Sequence, residues 1–204
     1  PDEFEKEKSV AIQEIYEAED NPDTHAFETF FEEIYPDNGL GYLVGGYVDS
    51  VTSFNRDMVY DFYKTHYKPC NMVLSAVGNV KHETLVKLAT ERFNDYPQAP
   101  PSEFGFAESP FLLKRFSKKN ESLKQVYAVM GCETISIQSE QRYRYMIVND
   151  VLGAGMSSRL YQAIREQKGL AYTVSSFTDS YLDCGVHLIY SIIEPGKVNE
   201  YLDA

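Results

Sequence analysis

A helix that stops on a glycine and turns straight into a β-branched, aromatic strand fixes the local chain path at residues 153–178, and it does so around an Arg and a Tyr. The run is Gly153-Ala-Gly-Met-Ser-Ser-Arg-Leu-Tyr-Gln-Ala-Ile-Arg165-Glu-Gln-Lys-Gly169-Leu-Ala-Tyr172. Good helix formers follow the opening glycines, Lys168 stands in the last turn, and Gly169 supplies the C-terminal stop. Residues 171–178, Ala-Tyr-Thr-Val-Ser-Ser-Phe-Thr, suit a half-buried strand. Arg165 and Tyr172 therefore flank one helix-to-strand junction and read as two side chains presented together. A single Arg or Tyr would be an ordinary solvated helix residue or strand aromatic.

Helical spacing marks 5–19, where Glu7, Val10 and Glu14 fall on one face because seven residues make nearly two turns. Acidic residues crowd the start of that helix, so for Glu7 favourable interaction with the helix dipole is the simpler reading, and Glu14 stays open. Residues 25–35 place Phe27, Phe30, Phe31 and Ile34 as a core stripe. Residues 36–50 are glycine-rich and read as a loop. Residues 55–67 read as a helix behind an Asn cap, and 71–80 as a buried central strand. A helix over 82–94 follows. Strands are then predicted over 111–118 and 123–131, a helix over 139–152, and a strand over 185–193 that pairs with 171–178. Prolines at 97, 100 and 101 mark a boundary.

Three blocks now carry a resemblance: Gly-x-Gly-x-Ser-Ser-Arg-Leu through Ile-Arg-Glu to Lys-Gly-Leu-Ala-Tyr, the Glu7, Val10, Glu14 spacing, and the Phe-Tyr, His-Tyr, Lys-Pro-Cys-Asn-Met-Val-Leu, Gly-Asn-Val order of 62–80. Together they resemble the pitrilysin or insulinase family of zinc metallopeptidases and are similar to mitochondrial processing peptidase. The resemblance implies an α+β fold, helices packed on a mostly antiparallel sheet, in two similar domains each partly covered. The expected division is 1–96 for the C-terminal half of the zinc domain, 97–110 for a proline-rich linker, and 111–204 for the start of a substrate-clamping domain. It implies Glu14 as a zinc ligand, Glu7 as an assisting catalytic carboxylate, and Arg165 with Tyr172 as the pair gripping substrate. The implied activity is that of a zinc endopeptidase acting on peptides or unfolded segments in a closed chamber, with the full-length protein a homodimer or heterodimer. A non-catalytic homologue that binds substrate or scaffolds a partner is the alternative.

The family's H-x-x-E-H motif, which sets two His on one helical face beside a water-polarising Glu, is not in these residues. His25, His66, His82 and His187 are not spaced to chelate together and read as surface or loop residues. The expectation is an internal fragment, inactive alone, whose zinc site is incomplete. The formal net charge of -12 argues against nucleic acid or anionic lipid as a main partner. No apolar run reaches the ~20 residues of a membrane-spanning helix. Cys70, Cys132 and Cys184 form no CxxC and fit a reducing compartment or simple burial. The glycine loop at 153 is not a phosphate cradle, since it lacks Gly-Lys-Ser/Thr and follows a helix where a nucleotide motif needs a strand.

Overall fold

The computed structural model describes residues 2–96 and 111–204, so the linker expected at 97–110 lies outside the described residues. Two compact units divide the chain. One takes the residues up to Ile12 and those from Tyr47 to Tyr96; the other takes Gln13–Gly46 with the residues from Phe111 onward. The grouping thus differs from the division expected at the prolines, because 13–46 belongs with the sheet that follows.

The first unit is helical. It holds the start of α1 (Asp2–Asp20) and, beyond the second unit's α2 (Pro22–Ile34), α3 (Val48–Ser53), α4 (Arg56–His66) and α5 (His82–Phe93). Asn55 caps α4 as expected, its side chain accepting from the Met58 N–H at 3.0 Å. Lys8 Nζ donates to the Thr52 and Phe54 carbonyls at 3.0 and 3.1 Å, which places a cation at the C-terminal end of α3. The central strand expected at 71–80 does not form: the segment has no ladder, and Val73 and Val77 are 97% and 99% exposed. A buried strand needs hydrogen-bonded neighbours, and all three described strands belong to the other unit.

The second unit is an antiparallel sheet in the order β1-β3-β2, formed by β1 (Val126–Thr134), β2 (Ala171–Ser180) and β3 (Gly185–Ile193). Helix α2 packs on one face of it. Asn21 caps α2 by accepting from the Asp23 and Thr24 N–H groups, and Pro22 occupies the first turn, so the helix begins before His25. Its aromatic stripe is core as expected. Phe30, Ile34 and Tyr35 cluster with Val186 and Leu188 of β3. Phe27 sits 5.4 Å from the Phe177 ring and 5.1 Å from that of Tyr190. The opposite face of the sheet carries Ala171, Val174 and Ile193 against Ile164, Leu170 and Tyr201, the last from α7 (Val198–Leu202). Apolar residues therefore line both faces of β3.

The strand expected at 111–118 is also absent. Phe111 meets Tyr35 edge-on at 5.8 Å, the Leu112 N–H donates to the Ile34 carbonyl at 3.1 Å, and Lys114 pairs with Glu33. Phe111 and the Leu112 N–H are held at the end of α2, Leu113 is 91% exposed, and the segment forms no strand of the sheet. His187 departs from its expected surface or loop position, lying half-buried in β3 with Nδ1 at 3.0 Å from Thr178 Oγ1. Burial pushes its pKa down.

Candidate functional site

The junction at Gly169 is built as its sequence indicates. Helix α6 (Arg142–Leu152) leads into the glycine loop, and a π-helix, Tyr161–Gln167, brings the chain to Gly169 at φ 61°. The Gly169 N–H closes on the Arg165 carbonyl at 3.1 Å, and the Leu170 N–H on that of Ile164 at 2.9 Å. Lys197 Nζ donates to the Gly169 carbonyl at 3.2 Å. Ile164, Leu170 and Ala171 are buried around this turn, so the junction is anchored from beneath while its neighbours face outward.

Tyr172 owes its direction to a β-bulge. Ala171 pairs with Ile193 and Thr173 with Ile192, which leaves Tyr172 as the extra residue. In an uninterrupted strand Tyr172 would share the face of Val174. The bulge gives that buried face to Ala171, at 5% exposure, and leaves Tyr172 71% exposed.

Arg165 lies between two rings, its Cζ 4.9 Å from the centroid of Tyr161 and 4.9 Å from that of Tyr172. Cation–π contact with both rings orients the guanidinium, and among the described residues no hydrogen bond or ion pair occupies its N–H groups. A cleft of about 420 Å³ opens here, lined by Arg165, Tyr172, Leu170, Lys124, Glu194 and Lys197 among others. In the core cluster that holds Leu170 and Ala171, the Tyr201 hydroxyl is 2.7 Å from Ser191 Oγ. Burial pushes the Tyr201 phenol up, and the Ser191 hydrogen bond pulls it the other way. The cleft presents a phenolic O–H and planar N–H donors at the start of an edge strand. Such groups suit the carbonyl oxygens of an extended peptide.

The structure brings Arg165 and Tyr172 together as the sequence suggests. Tyr161 joins them from four residues before Arg165, and that helical spacing is its only signal in the sequence. Lys197 comes from a distant segment that no local pattern connects to the junction. Glu7 and Glu14 are exposed positions of α1, Glu7 grouped with the first unit and Glu14 with the second, and Glu14 does not line the cleft.

Among the described residues no three His, Cys, Asp or Glu side chains stand where they could hold a metal ion together. Zinc ordinarily takes three or four protein donors, so the described residues do not by themselves fit a zinc site. Titrating the purified 204-residue chain with zinc should show no saturation at micromolar metal. A complete structural site, at roughly 10–16 kcal/mol, would saturate well below that.

Comparison with known proteins agrees with this fold. The sequence profile of the peptidase M16 inactive domain matches residues 53–204. The chain belongs to the peptidase M16 family. An uncharacterized zinc protease of Rickettsia bellii is 39% identical over 191 residues, covering 93% of this chain and 46% of that protein. One of Bacillus subtilis is 34% identical over 188 residues, 92% and 45% respectively. The crystal structure of a peptidase M16 inactive domain from Pseudomonas fluorescens superposes with TM-score 0.82 at 19% identity, covering 100% of this chain and 50% of that one. The chain thus spans about half the length of the curated M16 relatives it matches. No helix among the described residues is long and apolar enough to cross a membrane.

Proposed function

We propose that this chain contributes the substrate grip of a zinc-dependent endopeptidase that cleaves peptides or unfolded segments inside a closed chamber. The observation that carries this reading is the guanidinium of Arg165 held between two tyrosine rings, 4.9 Å from each, beside the exposed Tyr172 at the start of an edge strand. A substrate strand laid along such an edge gains main-chain hydrogen bonds, and Arg165 and Tyr172 add donors to its carbonyls. The names of the relatives, zinc proteases, support the chemistry. Under this reading Glu14 would give one carboxylate to a zinc ion whose other ligands lie outside the described residues, and Glu7 would assist catalysis, within a homodimer or heterodimer of the full-length protein.

A second reading, a non-catalytic subunit that binds substrate or scaffolds a catalytic partner, is favoured by one observation: the matched profile is that of the inactive domain. Both readings use the same grip. Turnover by the full-length parent separates them, and Tyr172→Phe in that protein tests the grip, because it removes one hydrogen-bond donor and little else. Peptide turnover is expected to fall about 2- to 10-fold with bound zinc unchanged by metal analysis. Unaltered kinetics in an active protein would remove Tyr172 from the site, and absence of any turnover in the parent would favour the subunit reading.

A further inference from the structure

The cleft at Arg165 is cationic on a chain of formal net charge -12. Its charge comes from three segments that the sheet gathers at one end. The register places Val126, Ile193 and Ala171 in one row, so the residues just before β1, just after β3 and just before β2 meet there. Lys124 precedes β1, Glu194 and Lys197 follow β3, and Arg165 stands behind the Gly169 turn. Glu194 pairs with Lys197 at 3.1 Å, and Lys197 also holds the Gly169 carbonyl. The one acidic side chain in the lining is thereby matched, while Arg165 and Lys124 line the cleft with no ion pair among the described residues.

We infer that this cleft selects a carboxylate on the gripped peptide, with Lys124 as the specificity-determining residue beside Arg165. The inference rests on the substrate-gripping reading above. A carboxylate matches the guanidinium fork and a neighbouring ammonium, whereas a basic peptide side chain would meet like charge. The volume of about 420 Å³ is that of a cleft able to take such a group. The carboxylate can be an Asp or Glu side chain or the peptide's own C-terminus.

The test uses the full-length protein and one fluorescein-labelled octapeptide in three forms: Glu with a C-terminal amide, Gln with a free C-terminal acid, and Gln with an amide. Affinities are read by anisotropy with a chelator present, so that cleavage does not intervene. The wild type is expected to bind at least one acid form about two- to fivefold tighter than the Gln amide at low salt. The preference should shrink as salt screens it, and the preferred form tells side chain from C-terminus. Lys124→Glu should bring the ratio to one or below, and Lys124→Gln should bring it part of the way. Arg165→Gln should weaken all three forms. Equal wild-type affinities, or a ratio that survives Lys124→Glu, would overturn carboxylate selection while leaving the grip intact if Arg165→Gln still weakens every peptide. No effect of Arg165→Gln on any form would overturn the grip and this inference with it.

Discussion

Leu188→Ala is expected to destabilise the sheet-bearing unit by about 2–5 kcal/mol, a fall in the unfolding midpoint of about 4–20 °C. Leu188 is fully buried at the centre of β3, against the cluster that α2 lays on the sheet. Its cross-strand partners are Gly131 on β1 and Phe177 on β2. A Cβ added at Gly131 would come within 2.6 Å of Phe30 Cζ and 2.9 Å of Leu188 Cδ2. The leucine and the phenylalanine therefore fill the space that the glycine leaves open. Truncating Leu188 creates a cavity that Gly131 cannot close, which puts the cost in the cavity term as well as in lost transfer energy. The coupling itself is measurable. Gly131→Ala alone should destabilise by crowding, yet in the Leu188→Ala background it should cost less or restore stability. Denaturant unfolding of the two single variants and the double variant reads this, and a Leu188→Ala loss under about 1 kcal/mol, or strictly additive effects, would show that the pair does not pack as described.

The legible parts of the fold were those whose signal is local. Asn55 at a cap, the Phe27, Phe30 and Ile34 stripe, and Gly169 at the end of a helix each act within a turn or two of chain, and each appears where the sequence places it. Arg165 and Tyr172 were legible for the same reason, since one glycine turn joins their elements. What failed depended on partners. Residues 71–80 have strand composition but no ladder among the described residues, and 111–118 uses similar composition to cover the end of α2. Composition reports that a segment wants burial and does not say against what. The bulge that turns Tyr172 outward exists only in the register with β3. Lys124 and Lys197 join the cleft only once the sheet has brought three strand ends together, so neither carries a local signal. The metal question divides the same way: a Glu at helical spacing can be picked out, but a ligand set is a property of assembled elements.

Gly153→Val should be the most damaging single change near the grip, although its position reads in sequence as an ordinary loop glycine. An added Cβ there would lie 2.5 Å from Ser176 Oγ and 2.6 Å from Ser176 N. The obstacle includes strand backbone, which cannot swing aside as a side-chain tip can. The same residue is tied to β2 by the Ser176 N–H donating to the Gly153 carbonyl at 3.0 Å, while Ser176 Oγ donates to Asn149 Oδ1 at 2.9 Å. Valine must therefore push the end of α6 away from β2 and break these bonds. The expected cost is about 1–3 kcal/mol from overpacking with about 1 kcal/mol for each hydrogen bond lost. Hydrogen exchange should show the Ser176 amide losing protection ahead of amides that β2 donates to β3. Gly155→Ala is the control, because no atom lies within 4 Å of a Cβ there and its φ is not positive; it should leave stability within about 0.5 kcal/mol. Equal effects at the two glycines would mean that Gly153 is only a flexible link. The predicted contrast has a consequence for function, since the clasp at Ser176 occupies the outer edge of β2 four residues beyond Tyr172. With the clasp intact, the outer edge of β2 is already paired at Ser176, and Tyr172 lies four residues back along it, beside the Arg165 guanidinium. With it open, the edge at Ser176 also becomes available for pairing, and unguarded edges invite association between chains. Gly153→Val should accordingly raise self-association as well as lower stability, which light scattering below the unfolding midpoint would detect.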